Sequence, residues 1–255
     1  MRGKESEIAE LDFLIRSAAL GKAAGARDLE HIDGAAAAFN YIRIADLVAS
    51  LFAAREITPP VLDWGCGYGQ VSWLLQKRGV HVVSYDVERR PLRERMQGLN
   101  SICVEYSADP VRLPYTSSSV GTVLSVGVLE HVPDIIGSLQ EIKRVLRPGG
   151  LLLIFMLPNR FSWAEWIADR RHASVHPVKF TLRSATDLLS SQGFDIERRW
   201  RRNFLPKNLT GFGPHFKRAY GALYGEIEAI DRILSKVPPT SYLSGVLEFQ
   251  ARKQA

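Results

Sequence analysis

The chain has 255 residues, of which 46% are hydrophobic and 24% are charged, and its formal net charge is +6. These values exclude a disordered or fibrous protein and predict one substantial core with appendages. Two cysteines form neither a disulfide framework nor a metal-ligand pattern, so we expect no metal. Because no apolar run of about 18 residues and no signal peptide are found, we expect a cytoplasmic protein without stable membrane insertion.

The first predicted unit is a helical segment, residues 1–57. Apolar residues recur at helical spacing over residues 5–21 and again over residues 34–55, and Thr58-Pro59-Pro60 then ends the second helix. From residue 58 to residue 255, predicted strands and helices alternate at the pace of a doubly wound parallel sheet. We expect the helical segment to cover a ligand site on this second unit.

The most informative segment follows the first predicted strand, Val61-Leu62. Asp63 comes next, and then glycines at positions 65, 67 and 69. Alternate glycines let the main chain turn sharply and leave room for a ligand against the backbone. The dinucleotide fingerprint, G-x-G-x-x-G, faces a pyrophosphate. Here the spacing is G-x-G-x-G and Asp63 would repel a pyrophosphate, so a ligand with a positive ammonium or sulfonium group fits better.

A second acid, Asp86, ends the next predicted strand, residues 80–86. At about 20 residues beyond the turn, a carboxylate can accept hydrogen bonds from both hydroxyls of a ribose. With the turn and this acid, the chain resembles the class I S-adenosylmethionine-dependent methyltransferases, especially the small-molecule branch that includes ubiquinone-biosynthesis-type enzymes. The resemblance implies a Rossmann-like, doubly wound, mostly parallel seven-stranded α/β sheet with helices on both faces. It also implies S-adenosylmethionine as cofactor, with S-adenosylhomocysteine as product.

Further motifs extend the resemblance over residues 58–158. Ala108-Asp109 resembles the segment in which an acid meets the adenine amino group, and Val120–Val126 resembles the fourth strand. The following Leu129-Glu130-His131 resembles the loop beside the methionine end of the cofactor. Residues 141–155 resemble the helix, tight turn and fifth strand that come next. The resemblance implies these cofactor-binding residues: Asp63, Gly65, Cys66, Gly67, Asp86, Val87, Ala108, Asp109, Val126 and Gly127.

The two cysteines are interpreted as structural. Cys66 lies inside the glycine turn, where a small side chain is the simple explanation and a nucleophile is not expected. Cys103 falls in the predicted third strand, Ile102-Cys103-Val104, and is expected to be a core residue.

Two inserts after the fifth strand are expected to determine the acceptor. They span about residues 159–180 and 204–240, and both carry aromatic residues. Aromatic segments over the strand ends can form a lid for an organic substrate, although hydrophobic packing alone explains them equally well. A helix over residues 181–192 separates them. A long helix is predicted over residues 216–234, and residues 244–251 are predicted as the last strand.

Methyl transfer from a sulfonium is an in-line displacement, so alignment of the reactants is the main requirement. If the acceptor is a hydroxyl, a general base helps, and histidine has the best-matched pKa. His131 is the first candidate; its alternative role is to order the loop or cap the helix before Pro133-Asp134. His176 is the second candidate, and His172 also lies in the first insert. An amine or carbanion acceptor would need no base.

The predicted function is methyl transfer to a small-molecule or glycan-like acceptor, with oxygen favoured. The alternative is an RNA or other nucleic-acid methyltransferase that uses the basic stretch of residues 170–202. Against this, residues 127–131 lack the Asp/Asn-Pro-Pro-aromatic loop of amino-directed base methyltransferases, and neither cysteine follows a proline. A non-catalytic cofactor-binding protein is a third possibility, but no motif is damaged. The sequence predicts no oligomeric state.

Overall fold

The computed structural model describes residues 4–25, 29, 32, 34–96, 98–171, 176–207, 209 and 213–254. Their strands are β1 Val61–Trp64, β2 Val82–Asp86, β3 Val104–Tyr106, β4 Val120–Val126, β5 Leu146–Pro158, β6 Phe194–Arg202 and β7 Val246–Lys253. They form one seven-stranded sheet in the order β3-β2-β1-β4-β5-β7-β6. Strand β7 pairs antiparallel with both β5 and β6, and the other pairs are parallel. The predicted fold class is therefore confirmed.

Helices cover both faces of the sheet. The α-helices are α1 Lys4–Ala23, α2 Ala35–Ala53, α3 Gln70–Gln76, α4 Ile135–Val145, α5 Trp163–Arg170, α6 Leu182–Ser191, α7 Pro214–Ala222 and α8 Tyr224–Leu234. Short 3-10 helices occupy residues 91–95, 99–101 and 240–243. One hydrophobic cluster joins α1, α2 and α3 to one face, and a second cluster joins α4 and α6 to the other.

The parallel strands end at one edge of the sheet. The pairing of β1 with both β2 and β4, and of β4 with β5, brings four carboxyl ends together there. In open sheets of this kind, ligands bind beyond these ends. The segments that follow β1, β2, β3 and β4, which carry the motif residues, therefore leave the sheet at the same edge.

Several boundaries differ from the sequence predictions, and β2 and β7 each begin two residues later than predicted. β3 begins at Val104, so Cys103 precedes the strand and is exposed rather than in the core. The buried residue at this point is Ile102. β5 begins at Leu146, so the tight turn predicted within residues 141–155 is instead a register irregularity inside the strand, between Leu146 and Leu151. The predicted long helix is divided into α7 and α8 at Leu223, in a stretch with two glycines, which lower helix propensity.

Helix α2 is apolar enough and long enough to cross a membrane, by length and composition only. More than half of its apolar stretch is buried within the protein, where it packs against α1 and α3. In the described structure it is therefore a core helix of the same cluster that covers one face of the sheet.

Candidate active site

The glycine turn after β1 is tied to the end of β2 by backbone hydrogen bonds. The N–H groups of Gly65 and Cys66 donate to the Tyr85 carbonyl at 2.8 and 3.0 Å. The Gly67 N–H donates to Asp86 Oδ2 at 2.7 Å, and the Glu88 N–H donates to Oδ1 of the same carboxylate at 2.9 Å. Asp86, the last residue of β2, therefore also stabilises the glycine turn through its side chain. A carboxylate oxygen has a second lone pair, so both oxygens can still accept from a ribose.

Two of the glycines are required for different reasons. Gly65 has a φ of 70°, and a Cβ there would lie 2.7 Å from both Cγ atoms of Val128, on the loop after β4. Gly67 has a φ of 59°, but its Cβ would meet nothing within 4 Å. Gly65 thus permits the close approach of two loops, whereas Gly67 borders open space in which a ligand can lie against the backbone.

Alanine at position 65 is expected to destabilise the fold more than alanine at position 67. Both changes place a side chain at positive φ, which costs about 1–3 kcal/mol, but only Gly65→Ala also collides with Val128, adding about 1–3 kcal/mol. Urea denaturation of both variants and of the double variant Gly65→Ala/Val128→Ala measures this difference. The double variant should regain part of the loss. Equal losses in the two single variants would contradict the steric explanation.

Asp63 is buried at the end of β1 and is held by a short hydroxyl chain. Ser72 Oγ donates to Asp63 Oδ2 at 2.7 Å, and Ser84 Oγ donates to Ser72 Oγ at 2.7 Å. Burial raises the pKa of Asp63 to about 6; the Ser72 hydrogen bond opposes this rise and the charge of Asp86 adds to it. The carboxylate is therefore an energetically costly charge at neutral pH.

The raised pKa predicts how Asp63→Asn changes stability with pH. In the folded state the carboxyl titrates near 6, whereas in the unfolded chain it titrates near its ordinary value of about 4. The native state therefore binds more protons between these values, and stability falls as pH rises through this window, by about 3 kcal/mol at most. Asparagine keeps an oxygen for Ser72 and removes this penalty. Denaturation of both proteins should show a relative gain for the variant at pH of about 7 compared with pH of about 5; no change in the difference would refute the explanation.

The predicted adenine segment lies beside the end of β2. Strand β3 pairs with β2 in parallel, so Ala108 and Asp109 follow β3 at the same edge at which Val87 follows β2. All three residues are exposed. Asp109 Oδ1 accepts from the N–H groups of Val111 and Arg112 at 2.9 and 2.8 Å, and these bonds lower the pKa of the carboxyl. Asp109 therefore stays ionised and orders its own loop.

Two residues with left-handed backbone lie close together, Gly127 after the end of β4 and Met156 within β5. Val126 is the last residue of β4, and Gly127 follows with a φ of 66°, its N–H donating to the Phe155 carbonyl at 3.0 Å. Met156, in β5, has a φ of 62° at a register shift, and a Cβ on Gly127 would lie 4.0 Å from the Met156 Cβ. Non-glycine residues in this conformation cluster at functional sites. Sequence reasoning missed Met156, because nothing in its type signals positive φ.

The predicted catalytic histidines lie together, although they are far apart in the sequence. The rings of His131 and His176 have centroids 5.7 Å apart, and Glu130 is buried beside them, with 3.9 Å between Glu130 Oε1 and His131 Nε2. One ligand atom from each of the three residues lies within 4.8 Å of the others. The helix after this loop is capped by Asp134, whose side chain accepts from the Gly137 N–H. Capping is therefore not the role of His131.

The pKa values of Glu130, His131 and His176 are shifted in different ways by their surroundings. Burial raises the pKa of Glu130 to about 7. Burial, and then the neighbouring His176, lower the pKa of His131, so its imidazole is neutral at pH 7 and able to accept a proton. Burial also lowers the pKa of His176, but its ion pair with Glu165 outweighs this effect and gives a net rise.

Two further residues of the first insert support His176, and sequence reasoning missed both. Glu165 Oε1 lies 3.0 Å from His176 Nδ1, and its Oε2 lies 3.1 Å from Lys179 Nζ. Burial opposes ionisation of Glu165, but these two cationic partners lower its pKa to about 2. The sequence gives little indication of a role for Glu165, because it is one acid on the short helix α5. Ser162 caps this helix. His172 lies outside the described residues.

The remaining side chains near the turn are structural. Burial raises the pKa of the Cys66 thiol well above its usual value, so Cys66 is not a thiolate nucleophile. Arg43 on α2 pairs with Glu248 of β7, whereas Tyr41 on the same helix is buried close enough to interact electrostatically with Asp63. Tyr41 therefore places helix α2 near Asp63.

Three arginines of the basic stretch make contacts within the protein. Arg202 lies 3.8 Å from Glu248, Arg198 pairs with Glu56 at 3.2 Å, and Arg201 stacks over the Tyr242 ring at 4.5 Å. These arginines belong to β6, an edge strand of the sheet.

Comparison with known proteins gives a consistent set of matches. A family model described as "Methyltransferase domain" matches residues 62–154. The chain is 38% identical over 100 residues to a methyltransferase, GfsG, of Streptomyces halstedii, covering 37% of this chain and 36% of that protein. It is 37% identical over 111 residues to a ubiquinone biosynthesis O-methyltransferase of Hahella chejuensis, covering 41% of this chain and 47% of that protein. These matches thus span less than half the length of either relative.

The fold extends beyond the matched segment. The solved 1,6-didemethyltoxoflavin-N1-methyltransferase of Burkholderia thailandensis, with 1,6-didemethyltoxoflavin and S-adenosylhomocysteine bound, superposes with a TM-score of 0.55 at 20% identity. The match covers 100% of this chain and 92% of that one. The likeness in fold therefore extends beyond residues 62–154.

Proposed function

Because the chain belongs to the small-molecule type of class I S-adenosylmethionine-dependent methyltransferases, we propose that it transfers a methyl group from S-adenosylmethionine to an oxygen atom of a small-molecule or glycan-like acceptor. The carrying observation is the position of the cluster Glu130–His131–His176 beyond β4, next to Gly127 and the glycine turn. Proton-accepting groups at this place suit a hydroxyl acceptor, whose proton must leave.

The cofactor part of the proposal assigns each motif a task. Asp63 orders the turn and the cationic amino end, Gly65, Cys66 and Gly67 provide the backbone surface, and Asp86 with Val87 holds the ribose. The adenine amino group lies against Ala108 and Asp109, and the methionine end lies against Val126 and Gly127. The open space at Gly67 and the buried, unusually basic carboxyl of Asp63 support this arrangement.

The proposal divides the chain into a helical cover and a catalytic unit. Residues 1–57 cover the cofactor, and the inserts at about residues 159–180 and 204–240 close over the acceptor. Trp163 Nε1 donates to the Phe204 carbonyl at 2.7 Å, which links the two inserts. Phe161 and Trp166 are more than half exposed in the first insert. Their rings are therefore available to contact an aromatic or apolar acceptor. A cytoplasmic location belongs to the same proposal.

A panel of matched acceptors tests the atom that is methylated. S-adenosylmethionine with a labelled methyl group is incubated with pairs of phenols, catechols and sugars and their amino analogues. The proposal expects labelled ethers from the hydroxyl members and little label in the amines. Label found only in the amines would overturn O-methylation while keeping the donor. Label in RNA, with none in the small molecules, would favour the nucleic-acid alternative.

A further inference from the structure

We propose that Glu130, His131 and His176 bind one divalent cation of the Zn²⁺ type, which holds the acceptor oxygen for methyl transfer. The binding site stands on geometry alone, and only the cation's part in catalysis rests on the proposed function. Two imidazole nitrogens and one carboxylate are the donor set of catalytic zinc sites, which keep a fourth position open for water or substrate. All three donors lie within 4.8 Å of one another.

The contacts that orient the His176 ring are those typical of a metal-ligating histidine. Glu165 Oε1, at 3.0 Å from His176 Nδ1, favours the tautomer with its proton on Nδ1 and leaves the Nε2 lone pair as the ligating atom. Lys179, at 3.1 Å from Glu165 Oε2, holds that carboxylate in turn. A carboxylate that orients the distal nitrogen of a ligating histidine is a recurrent feature of metal sites.

Glu130 supplies the second, independent observation. Its side chain is buried, and among the described residues its Oε2 has no hydrogen-bond partner. A buried carboxylate oxygen without a partner is costly, because burial removes its hydration and nothing replaces it. A cation held by both oxygens of this carboxylate, with Oε1 nearest to His131 Nε2, and by the two imidazoles would satisfy Oε2.

The three donors must close slightly around an ion. Bonds of about 2.1 Å in tetrahedral geometry place ligand atoms about 3.4 Å apart, whereas Glu130 Oε1 and His131 Nε2 are separated by 3.9 Å. His131 is about half exposed, with 46% of its side chain accessible. Rotation of this ring, rather than a shift of the buried Glu130, is the movement that closes the site.

The bound cation would act as a Lewis acid on the acceptor. A hydroxyl in the fourth position loses its proton to solvent water more readily, because the cation stabilises the oxyanion. An oxygen lone pair then forms the C–O bond to the methyl carbon. The S–CH₃ bond breaks, its electron pair stays on sulfur, and neutral S-adenosylhomocysteine leaves. His131 is then a ligand that positions the cation, in place of accepting the proton directly.

Zinc binding by the full chain tests the site without any acceptor. The parent protein carries Cys103→Ser, which removes an exposed thiol that would compete for zinc. It is first freed of bound metal with a chelator. Zinc binding is then measured by titration calorimetry and by dialysis with elemental analysis. We expect one zinc per chain in this parent. Glu130→Gln, His131→Gln and His176→Gln should each lose it, and Glu165→Gln should weaken binding about 10- to 100-fold.

His81→Gln is the matched control, because His81 is an exposed histidine just before β2, at the opposite edge of the sheet. Its zinc binding should equal that of the parent. The proposed zinc site is refuted if the parent binds no zinc or if His131→Gln still binds it. Because His131 is half exposed, this variant decides the test if Glu130→Gln fails to fold. Binding of S-adenosylhomocysteine, measured in parallel, identifies any variant that has unfolded.

The site and the proposed function can fail separately. Methyl transfer to oxygen that continues at full rate after chelation overturns the cation's catalytic role and leaves the proposed function standing. One zinc per chain, lost in the three variants, with methyl transfer only to nitrogen, overturns O-methylation and leaves the zinc site standing. Loss of methyl transfer on chelation and its recovery with Zn²⁺ supports both.

Discussion

Replacement of Asp86 by alanine is expected to weaken binding of S-adenosylhomocysteine by a factor of about 100 to 10,000. Each charge-assisted hydrogen bond from a ribose hydroxyl contributes about 1.5–3 kcal/mol, and the proposed site provides two. The change also removes the acceptor for the Gly67 N–H, so the turn loses one of its anchors. Titration calorimetry on the two proteins measures the difference.

The control for this prediction is Glu88→Ala, two residues further along. Glu88 is an exposed acid that pairs with Arg90 at 3.2 Å, so its removal changes the local charge by the same amount. Its cofactor affinity should stay within about twofold of the wild type, as is usual for an exposed ion pair. Equal effects of the two changes would mean that net charge, rather than the placement of Asp86, governs binding.

Removal of the Glu130 charge is expected to have the second large effect, on the rate of methyl transfer. Glu130→Gln keeps the shape of a buried side chain but removes the carboxylate beside both histidines. Loss of a group that promotes deprotonation of the acceptor costs about 100- to 10,000-fold in rate. We expect kcat to fall by this amount, with the affinity for S-adenosylhomocysteine almost unchanged.

The split between rate and binding is what identifies the role of Glu130. A purely structural carboxylate would lower thermal stability and cofactor affinity together. His81→Gln again serves as a control that alters a remote exposed histidine. A kcat within about threefold of the wild type in Glu130→Gln would refute a chemical role, since proton transfer by a positioned group is worth much more than that.

The cofactor half of the site could be predicted from sequence because it depends on local patterns. Alternate glycines, with Asp63 before them and Asp86 at the next strand end, require particular backbone conformations at fixed spacing. The structure has these conformations, with positive φ at Gly65, Gly67 and Gly69. The parallel strands then follow from the alternation of elements, and their carboxyl ends meet without further information.

The acceptor half could be predicted only in part, because it depends on contacts between distant segments. His131 and His176 were separate candidates, and only the path of the first insert brings their rings together. Glu165 and Lys179 carry no motif, and their importance arises from where α5 is placed. The positive φ of Met156 accompanies the register shift in β5, and no residue type in this segment predicts that shift. Cys103 was placed wrongly because the strand began two residues later than its apolar pattern suggested.

The most direct test of the account is a crystal structure with S-adenosylhomocysteine bound. The account predicts the ribose on Asp86, the amino end beside Asp63, and the vacant methyl position facing Glu130, His131 and His176 across the end of β4. That arrangement would place donor and acceptor chemistry in one line, as an in-line displacement requires. A cofactor whose sulfur faces away from these three residues, or that leaves Asp86 without a ribose contact, would contradict it.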